Sequence, residues 1–556
     1  MINGSTNISH WRYFRIPGII FLVILIISGS CIKEEFNPDA FDPTLQINPG
    51  VAAPIGWVRY QLDEMLTDSL APDELLVDQN GFITLVYKQD LYSLQASDLL
   101  SINDFSAGPL SFRNNTGLPI DLNALPPGMP SFSDTLSYSM PITGTNGAEI
   151  DSIVFRDGDI TVSAITPFTG MEWDAKISII GVSSWGITLD ETNTSVTNPL
   201  DGVTVPFNNT PPASNEIGFA VQFTIIPSSG IINVGQNIIT FNITIAGIEF
   251  SVIYGYLGQF QVDVGPQSFA VNFFEKLQGG TFHFHQPKLT LGFQNSFGLP
   301  LGISLSDFYA TGKNGEITSI TGPVIPTVSN PKILAYPHTI QEGSIDDSLV
   351  LTPQNTNLFT ILETSPTEVT VEVNGTTNPA GPPADNFIMD TSSLAISTEL
   401  RLPMEGYADI LLIADTLDFA LGDLYDAPDE IKQLIFRLNF DHSFPVDLSL
   451  QIIFTDENYM ALDSLFHDAN DLKRVVVGSD NFDANGKAQP VVSEPVEVVL
   501  TSEQIENITD SQYIIINGRV KTTGADSKQN VKFFADYYFR AFIGAIAELE
   551  INSDDL

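Results

Sequence analysis

His283 and His285, in Thr281-Phe282-His283-Phe284-His285, are spaced to project from one face of a strand, which is an arrangement a metal site can use. No cysteine or carboxylate stands beside them, and the competing reading puts both on the wet face of a strand with Phe282 and Phe284 inward. Asn481-Phe482-Asp483-Ala484-Asn485-Gly486 has the alternate oxygen ligands and the turn glycine of the first half of a calcium loop. Its twelfth position, where a bidentate acid belongs, is Val492, with Glu494 two residues late, and a hairpin turn at Asn485-Gly486 explains the same residues. Glycoside hydrolysis needs two carboxylates at a set separation, and among 67 acids none is singled out. Trp57, Trp173 and Trp185 are candidates for stacking on sugar rings, burial being the commoner fate of an aromatic. No Gly-x-Ser-x-Gly elbow, phosphate loop or dinucleotide fingerprint occurs, so no catalytic residue is assigned, the chain is read as a non-enzyme, and neither cofactor nor metal is expected.

The elements that must position these residues are strands. Gly81-Phe82-Ile83-Thr84-Leu85-Val86-Tyr87 opens a long series of apolar runs broken by Gly, Pro and Asn. Phe241, Ile243 and Ile245 alternate with polar residues until Gly247, after which Ile248, Phe250, Val252, Tyr254 and Tyr256 resume one residue out of step, a pattern that predicts a β-bulge. Helical pattern is confined to short stretches at 57–66, 268–277 and 428–434. At the C-terminus, Val531, Phe533, Ala535, Tyr537, Phe539, Ala541, Ile543, Ala545, Ala547, Leu549 and Ile551 occupy every second position, which predicts one very long strand over 531–551 with its odd positions inward. The predicted fold is all-β: an elongated, multi-module antiparallel β-sandwich with a long C-terminal strand and few short helices. The expected divisions are a leader over 1–30, a tether over 31–54, and β-rich regions over 55–285 and 286–556.

Composition narrows the function class. With 23 Lys plus Arg against 67 Asp plus Glu, the formal charge is −44, which excludes a nucleic-acid binder because phosphate affinity needs clustered basic residues. The acidity does not mean disorder, since 43% of the residues are hydrophobic and only 16% charged. Arg12 and Arg15 precede the apolar run Ile19–Ile27, the small residues Ser28-Gly29-Ser30 and then Cys31, the anatomy of an export signal. The run is shorter than the ~20 apolar residues of a membrane span. Cys31 is the only cysteine, so no disulfide or thiolate site can form within the chain.

The end of that signal resembles the lipobox of bacterial lipoproteins, with Ser28 in place of the usual Leu. The resemblance implies that Cys31 is lipidated and becomes the first residue of a membrane-anchored protein. Lys33-Glu34-Glu35 just behind it resembles the surface-export signal of Bacteroidota lipoproteins; a solvated tether at the periplasmic face is the alternative. Asp-Ser/Thr-apolar triplets place Ser69, Thr135, Ser152, Ser348, Thr416 and Ser464 in sequences resembling the O-glycosylation sequon of extracytoplasmic Bacteroidota proteins.

Internal similarity points to repeated modules. Phe112-Arg113-Asn114-Asn115-Thr116-Gly117-Leu118-Pro119-Ile120 aligns without gaps on Phe293-Gln294-Asn295-Ser296-Phe297-Gly298-Leu299-Pro300-Leu301, and a looser third copy runs from Asn439 to Phe444-Pro445-Val446-Asp447-Leu448. In each a strand reaches an Asn, turns and resumes through Pro. The motif resembles the strand junction of late-embryogenesis group-two and related β-sandwich domains, which implies a fold and no catalytic role. The expected function is a membrane-anchored binding or assembly component whose partner is an outer-membrane protein, a glycan or a lipid. The alternatives are an amphiphile carrier, suggested by small residues Ala541, Gly544, Ala545 and Ala547 in the last strand, and a glycan-binding or glycan-degrading protein.

Overall fold

A computed structural model describes residues 50–549 apart from 68–73, 130, 140–141, 144–146, 212, 275–276, 383–384, 413–415, 419–430, 467–471 and 509. The leader, Cys31 and Lys33-Glu34-Glu35 therefore lie outside the described residues. The fold is all-β, as predicted, and consists of three antiparallel sandwiches threaded by a chain that leaves and revisits them. It starts in the third sandwich with β1 (Gly50–Gln61) and passes through helix α1 (Leu62–Thr67) to β2 (Ile83–Gln95) of the middle one. It then builds the first sandwich, of which β3 (Phe105–Arg113), β4 (Glu149–Ile165) and β5 (Asn237–Tyr256) form one sheet. It returns through β6 (Gln261–Ala270) in the middle and β7 (Leu277–Phe284) in the third. The middle is completed by β8 (Lys288–Asn295), β9 (Leu301–Gly312), helix α2 (Leu358–Glu363), β10 (Pro366–Thr377) and β11 (Ser393–Pro403). The third is completed by β12 (Glu405–Leu412), β13 (Ile431–His442), β14 (Val446–Thr455), helix α3 (Ser502–Asn507), β15 (Tyr513–Thr522) and β16 (Tyr538–Leu549).

This path corrects the expected division at 285/286. β1 pairs with β16, β2 with β11 and β7 with β12, so strands from both sides of that boundary share sheets. The start of the fold moves too: Gly50 to Pro54, assigned to the tether, already pair with Glu548 to Gly544. The middle sandwich is joined to both neighbours. The far half of β5 pairs with Asn386–Met389 on the approach to β11, and Phe82 bridges Phe534 toward the third. The first sandwich packs its sheets through Phe112, Phe223, Phe241 and Trp173, with ring centroids 4.8–6.4 Å apart. Alternation along β4 and β5 supplies that face, and each large side chain so buried contributes about 1.5–3 kcal/mol.

The middle and third sandwiches are the same unit in the same order. In one, β8 pairs with β11 and with Ile345–Leu351, while β9 pairs with β10. In the other, β13 pairs with β16 and with Val496–Thr501, while β14 pairs with β15. A short helix, α2 or α3, precedes β10 or β15 in each. The repeated junction sits where β3, β8 and β13 end. Asn114 is fully buried, accepts from the Thr116 N–H at 3.1 Å and donates to the carbonyl of Ile232 at 3.0 Å. Asn295, also fully buried, accepts from the Phe297 N–H at 3.0 Å and donates to Ala335 O at 3.1 Å.

In the third copy the residue in this role is His442, three positions after the Asn439 picked out in the sequence. Its Nδ1 faces the Phe444 N–H at 3.2 Å and its Nε2 the carbonyl of Val477 at 3.0 Å. A neutral imidazole with the proton on Nε2 presents the acceptor and donor of an Asn amide at nearly the same places. Aligning Phe440-Asp441-His442-Ser443-Phe444 on Phe293-Gln294-Asn295-Ser296-Phe297 then needs only a two-residue deletion before the Pro.

The continuous strand expected over 531–551 is broken. Val531–Lys532 pairs with β12, a turn follows at Ala535 and Asp536, and β16 begins at Tyr538. The intervening residues cross the join between sandwiches: Phe533 donates to Met404 O at 2.9 Å and Ala535 to Gly81 O at 2.8 Å. The turn changes the phase, so Phe534 and Tyr537 are both buried although they differ in parity. β16 itself lies between β1 and β13, closing the sheet in which the chain began. Two helix expectations fail: 268–270 end β6, an edge strand paired with β10, and Ile431 to Leu434 begin β13, which is paired on both sides, because cross-strand pairing outweighs weak helical periodicity. At 57–66 the helix is limited to its end, since Trp57 lies in β1 and α1 starts at Leu62. The bulge at Gly247 is present: the register with β4 shifts there and its φ is +66°.

Candidate functional site

The third sandwich contains an apolar cavity of about 300 Å³. One sheet supplies its wall through alternate residues of adjacent strands: Phe282 and Phe284 on β7, Ala408 and Ile410 on β12, Val520 and Thr522 on β15, and Val446 on β14. Phe273, Met404, Phe444 and Phe533 close it from connecting segments. Space exists because β12 offers Gly406 and Ala408 opposite two Phe. A Cβ on Gly406 would fall on the backbone carbonyl of His283, so the strands can approach this closely only with glycine there. The hydroxyl of Thr522 is spent on the backbone of Ala408, accepting at 3.0 Å and donating at 3.3 Å. The wall is therefore mainly apolar and offers dispersion contacts, although His283, Glu405 and Tyr407 also stand among its lining residues. Sequence reasoning missed this cavity; its signal is the Gly406-x-Ala408 pair across from Phe282-x-Phe284.

His283 and His285 do not converge. His283 is among the residues lining the cavity, and its ring stacks on Tyr407, ring centroids 4.9 Å apart, with Phe359 of α2 at 4.4 Å. Burial pushes its pKa below the usual imidazole value. His285 Nδ1 meets the Asn530 amide at 3.0 Å. Phe282 and Phe284 are inward, as the alternation requires. Among the described residues no group of three or more His, Cys, Asp or Glu stands where it could hold a metal ion. In the calcium-like segment, Asp483 Oδ1 accepts from the N–H groups of Asn485 and Lys487 at 2.8 and 2.9 Å, and Phe482 bridges Ala488. Those contacts are a hairpin turn closed by Gly486 at φ +80°.

Trp173 and Trp185 are removed as sugar platforms because they are 1% and 4% exposed, the latter donating from Nε1 to Pro199 O at 3.0 Å. Trp57 is the exposed one, at 71%. The six sequon hydroxyls fare differently. Thr135 and Ser348 are exposed and Ser152 is half-buried, each on a strand whose next residue faces inward. Ser464 is buried and donates to Phe466 O at 2.9 Å, so it is no attachment site in the folded chain. Thr416 lies in a short strand, its side chain outside what is described, and Ser69 is outside the described residues. The small residues that suggested a carrier are in the sheet of β1, β16 and β13, not on the cavity wall.

No protein-family model matches the chain, and no curated protein matches it. Among solved structures it is similar to a protein from Parabacteroides distasonis ATCC 8503, provisionally classed as secreted, at 10% identity and TM-score 0.28, covering 90% of this chain and 99% of that one. It is also similar to infectious bursal disease virus structures: the Gx strain at 10% identity and TM-score 0.13, covering 87% and 82%, and the VP2 subviral particle at 8% and 0.12, covering 83% and 82%. Scores this low establish no shared activity. No helix among the described residues is long and apolar enough to cross a membrane.

Proposed function

We propose that this chain is a lipoprotein held in the outer membrane by a lipid on Cys31, carried to the cell surface through Lys33-Glu34-Glu35, and acting there as a binding or assembly component. The observation that carries the reading is the sole cysteine placed directly behind an apolar run and small residues, ahead of the first described strand at Gly50. Polar side chains at the strand junctions that are spent on backbone groups, Asn114, Asn295 and His442, support contact over catalysis. Glycans at the exposed Thr135 and Ser348 fit the same surface location. In the test, Cys31→Ala releases the protein from membranes or leaves an uncleaved precursor; unchanged processing and fractionation overturn the anchor. Replacing Lys33, Glu34 and Glu35 with Ala reduces digestion by protease added to intact cells; equal digestion overturns surface display.

A second reading, a carrier of one short acyl chain or similar apolar molecule, is favoured by the cavity, whose volume is at the lower end of the roughly 300–1,000 Å³ of ligand sites. Solvent extraction and mass spectrometry of the purified protein test it. A stoichiometric lipid that Ala408→Phe eliminates supports the carrier, and its absence removes that reading.

A further inference from the structure

We infer that the outer face of the β1–β16–β13 sheet rests on the phospholipid bilayer surface; this inference depends on the anchor at Cys31. The face presents two large aromatic side chains that are exposed among the described residues. Trp57 and Phe542 are direct cross-strand partners, 71% and 44% exposed, while their neighbour Ala541 is turned into the core. Next along the same face Arg59 pairs across Arg540, and Arg540 reaches Asp441 at 3.2 Å and lies over the Tyr538 ring at 4.8 Å. Trp, Tyr and Arg are side chains that settle at a membrane–water boundary, because each has an apolar body and a polar or charged tip.

Position and charge select a bilayer as the occupant. β1 is the edge strand of this sheet and the first described element, so the residues that lead back to Cys31 connect to this sheet. Those intervening residues span at most roughly 65 Å when fully extended, at about 3.3–3.6 Å per residue. Arg437 pairs with Glu497 at 3.7 Å and Arg540 with Asp441, so basic residues match acids locally on a chain that overall holds 23 basic and 67 acidic residues. A near-neutral aromatic patch on an otherwise strongly negative molecule is the part that approaches lipid headgroups at least electrostatic cost. A lipid already in the bilayer makes the second contact intramolecular, so modest affinity suffices.

The test uses the three tryptophans of the processed chain, Trp57, Trp173 and Trp185, of which only Trp57 is exposed. The full lipidated protein is reconstituted into phosphatidylethanolamine–phosphatidylcholine vesicles, with or without bromine on the acyl chains, and flotation is measured alongside emission. The expected result is flotation in both, with emission lower in the brominated vesicles and that loss absent in Trp57→Phe. Flotation with equal emission in the two lipids overturns the inference and leaves the anchor standing. Failure to float withdraws the anchor and the inference together.

Discussion

The middle and third sandwiches share one strand order and one junction, yet they are finished differently. The buried side chains of the middle one belong to a core that is continuous with the first sandwich and reaches Phe282, Phe284 and Phe534, and Asn295 closes its junction. The third has a smaller core of its own, centred on Leu434, Phe440, Phe454 and Leu500. Most of β14 and β15 is only half-buried, His442 closes the junction, and the cavity and the exposed Trp57–Phe542 pair are both there. The difference teaches that the repeat is a scaffold, and that its apolar cavity and its exposed aromatic pair both fall in the copy to which β1 belongs.

The largest test of that comparison removes what only the third copy depends on. Truncation after Gln529 deletes β16, the strand between β1 and β13, together with Phe534 and Tyr537, and the third sandwich is expected to unfold. Burial of several large side chains at about 1.5–3 kcal/mol each exceeds the roughly 5–15 kcal/mol by which a domain is stable. Limited proteolysis should then cut within 431–522 while the first sandwich resists; a third sandwich as resistant as before would break the comparison.

Next in size, Asn295→Ala leaves the buried Phe297 N–H without its partner, costing about 1–3 kcal/mol, and also removes the contact to Ala335 O; His442→Ala should cost a similar amount. Denaturant titration reads both, and a His442→Ala variant of unchanged stability would deny that the junctions are equivalent. Within the third sandwich, Phe539 packs against Phe440 at 5.5 Å, so Phe539→Asp should cost about 2–4 kcal/mol. Arg540→Asp, which breaks a partly exposed pair with Asp441, should cost about 1 kcal/mol. Equal melting temperatures for the two would put β16 in the wrong phase.

The smallest effect is the most selective. Burial holds the His442 pKa below the ordinary imidazole value, although its backbone contacts and Asp441 push the other way. The unfolded chain then takes up the proton more readily. The contribution of His442 is complete above about pH 6.5, the unfolded value, and is lost as pH falls toward and through the folded pKa. His442→Asn keeps an acceptor and a donor but cannot titrate, so it should flatten the melting temperature of the third sandwich between pH 7 and pH 5. A wild-type slope that survives in His442→Asn would assign the sensitivity elsewhere.

Much of this was legible in the residues. Period-two alternation announced an all-β chain, the phase slip at Gly247 announced a bulge, and the nine-residue match around Asn114 and Asn295 announced the repeat. What was hidden follows from physics that one-dimensional pattern does not carry. His442 was passed over because an imidazole and an amide look unlike in sequence, though they place an acceptor and a donor alike. The break at Ala535 and Asp536 was masked by apolar residues at both parities, of which Phe534 was the clue. The threading of β1, β2 and β7 into sheets completed hundreds of residues later is set by long-range pairing. The cavity arises from missing side chains at Gly406 and Ala408, which register as composition until Phe282 and Phe284 are seen opposite.

The claim that the third sandwich is where the molecule meets the membrane is tested most directly by hydrogen exchange, comparing the lipidated protein on vesicles with Cys31→Ala in solution. The account predicts slower exchange on vesicles in β1 and β16, with the strands of the first sandwich, β3 to β5, unchanged. Protection in the first sandwich instead, or none in β1 and β16, would contradict it.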